Sequence, residues 1–248
     1  MQLKRIFFVL SPMKKILILF IMVLPVWIGA QRFKQERYKN FDKRVFHFGF
    51  MLGFNTSDFT LYPVQDAYEK YGLLEIQNDA QPGGQLGILT TLRLGTPMVR
   101  VRLIPTISFE ERAIRYKFED TSKLGYRIEE QRINSTNLAF PLMMQFRTKR
   151  LNNFAAYCLV GGQYSIDLQS QEKASQNFID PFIKIHRYDW QGQIGAGLEF
   201  FAPYFKFGLE LKFSHGFTNS FIQDNTNVSK PIQTLYNRGW WVSLIFEG

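Results

Sequence analysis

The chain has 248 residues, 46% of them hydrophobic, one cysteine and a formal net charge of +9. A single cysteine excludes an internal disulfide and a thiolate metal cluster. Beyond the N-terminus no apolar run is long enough for a membrane-spanning helix. The remaining classes are a soluble all-β protein and a membrane β-barrel. The 25 Phe suit either, because aromatic residues favour strands and membrane interfaces alike.

The N-terminal residues read as an export signal. Lys14 and Lys15 precede the apolar run "ILILFIMVLPVWIGA", which ends at Ala30 before Gln31. A basic stretch, an apolar stretch and a small residue at the cut are the marks of a signal peptide over 1–30. Met13 is an alternative start, and an uncleaved anchor is the rival reading. The segment holds four basic residues and no acidic one, so its removal lowers the net charge from +9 to +5. That leaves little reason to expect nucleic acid as a partner. Residues 31–43 follow as a polar, basic tail.

From residue 44 the chain alternates. "RVFHFGFMLGF" (44–54) sets Phe46, Phe48, Phe50, Leu52 and Phe54 on one face. Further alternating segments fall at 84–95, 98–110, 133–147, 153–168, 190–201, 205–216 and 238–248. The faces of 153–168 are ambiguous, and Cys158 within it is expected to be a small buried residue. The predicted strands number eight, many of ten or more residues, against five or six for ordinary strands. A tilted path through a bilayer needs about 9–11.

The connections alternate too. Those at 95–97, 147–153 and 202–203 are short, whereas 55–83, 110–132, 169–186 and 215–236 read as long polar loops. Short turns at one end and long loops at the other mark an up-and-down transmembrane barrel. The expected fold is therefore an all-β, eight-stranded antiparallel barrel over 44–248 in an outer membrane. Its Phe/Leu face meets lipid and its Gly/Gln/Glu/Lys face lines a narrow lumen. A soluble sandwich would invert that assignment.

The charges of lumen parity are Arg93, Arg100, Arg102, Glu199, Lys206, Glu210 and Lys212. Mixed signs suggest a packed ion-pair network, since an unpaired buried charge is costly. A small polar channel is the alternative. Trp190, Trp240 and Trp241 suit interface girdles. Arg32, Lys34, Arg37, Lys39, Lys43 and Arg44 of the tail, with Arg147, Lys149 and Arg150 of a turn, would form a basic periplasmic surface. It fits a docking partner or anionic lipid head groups equally well.

Catalysis finds little support. Ser214 and His215 are adjacent, but successive strand residues point to opposite faces. His47 has lumen parity and reads as a hydrogen-bonding group, and His186 precedes a strand. No metal-ligand spacing or phosphate-binding Gly loop occurs, so no cofactor is expected.

Several stretches carry a family resemblance: "RFKQERYKNFDKRVFHFGFMLGFNTSDF", "FPLMMQFRTKRLNNFAAYCLVGGQYSIDL", "FFAPYFKFGLELKFSHGFTN" and "RGWWVSLIFE". They resemble the PorT family of Bacteroidetes outer-membrane β-barrels across nearly all of the mature chain. The resemblance implies a non-enzymatic accessory role in type IX protein secretion and, in gliding species, in motility. It implies other secretion components and outer-membrane lipid as partners, and no small-molecule substrate. It supplies no catalytic residues. The alternatives are a small porin-like barrel and, third, a lipid-modifying enzyme.

Overall fold

The computed structural model describes residues 37–38, 40–120, 125–172, 174–175 and 181–248. The expected signal peptide over 1–30, with its cut after Ala30, lies outside them. A 3-10 turn, Phe41–Lys43, precedes the first strand. The strands are β1 (Phe46–Pro63), β2 (Leu73–Arg93), β3 (Val99–Leu103), β4 (Thr106–Asp120), β5 (Gly125–Arg147), β6 (Phe154–Asp167), β7 (Lys184–Ile185), β8 (Tyr188–Phe201), β9 (Lys206–Gly216), β10 (Phe221–Ile222) and β11 (Ile232–Glu247).

The wall closes on itself. Each strand pairs antiparallel with its neighbours, from β1 through β2, β3/β4, β5, β6, β8 and β9 to β11, which returns to β1. β3 and β4 act as one wall strand. Their register against β2 runs on from Thr90↔Leu103 to Gly87↔Thr106, interrupted at Pro105, which has no N–H to donate. Eight wall strands result, in up-and-down order. Closure satisfies the backbone groups that hydrocarbon could not.

Faces follow parity. Phe46, Phe48, Phe50, Leu52 and Phe54 are exposed outward on β1, while His47, Met51 and Asn55 are buried inside. β6 resolves the same way, with Ala155, Tyr157 and Leu159 inward and Val160 outward. Cys158 is exposed on the lipid-facing side, a correction to its expected burial. Its neighbours across the sheet are Phe146 and Ala196, so it belongs to the apolar outer face.

Two segments expected to be loops, 55–83 and 110–132, are largely strand. β1 and β2 reach to Pro63 and from Leu73, and β4 and β5 reach to Asp120 and from Gly125. Along β4 the alternation continues but its polarity reverses. Thr106, Ser108, Glu110 and Arg112 face inward first, then Ile114, Tyr116 and Phe118. Outward come Ile107 and Phe109, then Arg115 and Lys117. Past Phe109 the outer face meets water, so apolar groups turn inside.

Those inward groups build a second core at the long-loop end. Phe59, Leu73, Ile114, Tyr116, Phe118, Ile133, Ile185, Phe221, Val228, Ile232 and Leu235 pack together there. Pairing of β1 with β2 ends at Ser57↔Gln81, and that of β5 with β6 ends at Asn137↔Asp167. Above these points β2, β4 and β5 form one leaf and β1 and β11 another. The small β7–β10 sheet contributes Ile185 and Phe221 to the core between, and Tyr116 Oη donates to Val228 O at 2.8 Å.

Candidate functional site

The lumen is filled in layers. At the short-turn end, Arg102 is the central cation. Its Nη1 lies 3.0 Å from Glu210 Oε2, and its Nη2 lies 3.3 Å from Glu199 Oε1 and 3.7 Å from Glu247 Oε2. Lys206 Nζ bridges Glu199 Oε1 at 2.9 Å and Glu247 Oε2 at 2.5 Å. Glu199 also accepts from Gln145 Nε2 at 2.7 Å and from Arg147 Nη1 at 3.3 Å. Tyr157 Oη donates to Glu210 at 2.8 Å, and its ring lies 4.9 Å from the Arg102 guanidinium. Lys212 Nζ sits 3.3 Å from Glu210 Oε1. These charges are fully buried, so every partner counts: stripping one from a buried pair costs about 3–5 kcal/mol.

The tail completes this layer. The 3-10 turn carries Asp42 to Arg100 Nη2 at 2.9 Å and Arg147 Nη2 at 2.7 Å. Phe41, fully buried, stacks on His47 with ring centroids 3.9 Å apart and meets Phe201 edge-on. Arg100 and Lys206 approach the same ring at 5.0 and 4.7 Å. The tail thus stoppers the short-turn mouth. His47 serves that stopper by stacking on the Phe41 ring.

Above lies an apolar layer of Met51, Leu89, Ile104 and Ile245. Then come polar pairs: Gln85 with Ser243 at 2.9 Å, Gln193 with Gln163 at 2.6 Å, and Trp241 Nε1 with Ser214 Oγ at 2.8 Å. Higher still, Glu110 accepts from Ser57, Ser108, Asn137 and Arg112. Asp189 accepts from Gln191, Thr218 and Asn237. The loop-end core closes the top.

Of the residues singled out by sequence, Arg100, Arg102, Glu199, Lys206, Glu210 and Lys212 come together in the lower layer. Arg93 sits half-buried at the rim, where its Nη1 donates to Asp42 O at 2.5 Å. Glu247 and Tyr157 also lie on lumen faces and were not singled out by parity, while Gln145 follows the inward parity of its strand. Nothing in the sequence marked Asp42.

The basic set divides. Arg147 is buried inside the barrel, because it ends β5 on the inward parity of Gln145. Arg37, Lys43, Arg44 and Lys149 are exposed at the rim. Arg150 lies 3.9 Å over the Phe201 ring and donates to Arg37 O, holding the tail to the β5–β6 turn. Arg32, Lys34 and Lys39 lie outside the described residues.

The tryptophans divide as well. Trp190 and Trp240 stand outward, but Trp241 is buried in the lumen, since it alternates with Trp240 along β11. Ser214 and His215 point apart: Ser214 bonds Trp241, while His215 lies 3.4 Å from Thr60 and stacks on Tyr236. Among the described residues no group of three metal-ligating side chains converges.

Solved structures with similar folds include three outer-membrane barrels. OprG from Pseudomonas aeruginosa is 14% identical over 82% of this chain and 95% of its own, with a TM-score of 0.45. Ail, the attachment invasion locus protein of Yersinia pestis, is 15% identical over 83% and 100%, with a TM-score of 0.34. The N-terminal barrel domain of Pseudomonas aeruginosa OprF is 10% identical over 79% and 96%, at 0.30. No curated protein matches the chain. Residues 30–222 match the family described as "Outer membrane protein beta-barrel domain", and with a closed eight-stranded wall and an apolar outer face the chain belongs to that family of outer-membrane barrels.

Proposed function

We propose that this outer-membrane barrel is a non-enzymatic accessory of type IX protein secretion that works as a membrane-anchored scaffold. The observation that carries the reading is the filled lumen. Ion pairs, an apolar layer and the Phe41–Asp42 stopper occupy the space a permeation path would need. Such a barrel acts through its surfaces. The secretion role itself rests on the resemblance of "FPLMMQF", "KRLNNF" and "PYFKF" to the PorT family.

Two surfaces are available for partners. One is the periplasmic rim of Arg37, Lys43, Arg44 and Lys149, which suits an acidic face of another secretion component. The other is the extracellular pair of leaves. Export uses residues 1–30 as a signal cleaved after Ala30, and sequencing the mature N-terminus checks this by finding Gln31 first.

The test is a clean gene deletion followed by mass spectrometry of the culture supernatant. Loss of proteins bearing type IX C-terminal signals, restored by complementation, supports the scaffold. An unchanged secretome overturns it. Steady ion conductance by the purified protein in planar bilayers would favour a small porin instead.

A further inference from the structure

The lipid-facing wall carries a groove of about 630 Å³ across β11, β1, β2 and β4. Its floor is Gly84. Phe54 pairs with Gly84 on one side and Phe109 pairs with it on the other, so two phenyl rings flank a position with no side chain. The fold does not require glycine there. Gly84 lies outside the left-handed region, and an added Cβ would meet nothing nearer than Gly53 O at 3.9 Å. The notch is therefore spare space on the outer surface, flanked by two rings.

Gly162 on the same wall is open as well, whereas the chain covers its neighbour Gly192 itself. At Gly192 an added Cβ would come within 2.4 Å of the Phe217 ring, which lies over the glycine from outside. A phenyl ring is thus the group this barrel already seats on an outward glycine. At Gly84 no ring is seated, yet Phe54 beside it is 77% exposed and stands clear of the surface.

We infer that this face is a homodimer interface in which the Phe54 ring of each copy enters the Gly84 notch of the other. The patch is self-complementary because knob and hole are paired neighbours on adjacent strands. A two-fold axis along the membrane normal, passing between them, sets each against its counterpart, as an isologous contact requires. The four rings then form one row: Phe109, the second copy's Phe54, Phe54, and the second copy's Phe109. The walls of the notch are two strand spacings apart, about 9.5 Å, so an inserted ring sits about 4.8 Å from each. That is within the spacing aromatic pairs prefer. Strand tilt offsets the paired residues in depth by about 3 Å, within the reach of a phenylalanine side chain. Val242, paired with Phe54 on its other side, supplies the surface on which the second copy's Phe109 rests. In a bilayer apolar burial gives no drive, so packing must carry association, as it does between transmembrane helices that approach closely at small residues.

The test is sedimentation equilibrium of the full mature protein in density-matched micelles, repeated in lipid nanodiscs by native mass spectrometry. A monomer–dimer equilibrium is expected. Gly84→Phe, which fills the hole, and Phe54→Ala, which removes the knob, should each weaken it at least tenfold. Phe54→Ala guards against misfolding, because the side chain it shortens is mostly outside the packed wall. Ile194→Ala, outward on β8, should leave the dimer unchanged. A wild-type monomer at all concentrations overturns the inference. So does a dimer indifferent to both variants, or a monomer whose co-purified lipid is lost on Gly84→Phe, which would make the notch an acyl-chain groove.

Discussion

Glu247 sits directly across the β9–β11 ladder from Lys206, with Lys206 Nζ 2.5 Å from Glu247 Oε2 and both side chains fully buried. The pair shares its partners, Glu199 and Arg102, with the rest of the lower lumen. Lys206→Met should therefore destabilise the barrel by about 3–5 kcal/mol, because it leaves two carboxylates short of a cation. Glu247→Gln should cost less, since the amide still accepts from Lys206 and removes one of the carboxylates sharing it. The double variant should cost less than the sum of the single ones. Urea titration of the barrel in micelles, followed by tryptophan fluorescence, measures all three.

The stopper gives a second prediction. Asp42→Asn weakens its hold on Arg100 and Arg147, and Phe41→Ala removes the ring packed on His47 and Phe201. In either variant the tail should be cut near Arg37 and Lys43 by a protease that spares the wild type. The β-rich circular dichroism spectrum should persist. Equal cleavage of variant and wild type would show that the tail does not depend on these contacts.

The tryptophans can be read one at a time. In variants retaining a single tryptophan, brominated lipids should quench Trp190 and Trp240 strongly and Trp241 weakly. Only the last is inside the barrel, bonded to Ser214. Cys158 should likewise react with a lipid-soluble maleimide and resist a charged one.

The loop-end core should fail independently of the wall. Tyr116→Ala removes a fully buried ring and its bond to Val228, at a cost of about 3–5 kcal/mol. Hydrogen exchange should rise in 112–118 and 126–133, while β6, β8 and β9 stay protected. Tyr116→Phe keeps the packing and loses only one hydrogen bond, about 1 kcal/mol.

The barrel itself was legible because alternation in 44–54 and 205–216 is unbroken and long. The eight wall strands and their order follow from parity and connection length. The upper halves of β4 and β5 were missed for a physical reason. Parity persists there, but Ile114, Tyr116 and Phe118 have exchanged sides with Arg115 and Lys117, so a search for outward Phe and Leu finds no strand. The lumen charges on long strands were readable, and Glu247 and Tyr157 could have been added by the same count of two. Asp42 was not readable. It reaches the lumen through a turn of three residues, and its partners Arg100 and Arg147 are 58 and 105 residues away. Trp241 shows the limit of composition: a residue type that favours interfaces was placed by its parity alone.

The β4–β5 ladder runs without a register shift from Thr106↔Ala139, in the membrane, to Asp120↔Gly125, far outside it. No register shift separates the two parts of this hairpin, although β2 shifts against β4 between Ala80 and Gly84. A pull at the outer end draws β4 and β5 in the same direction, so the load passes down both strands to their flanking partners β2 and β6 instead of into the bonds between them. The hairpin is a continuous ribbon that ties the loop-end core to the wall through unbroken backbone pairing.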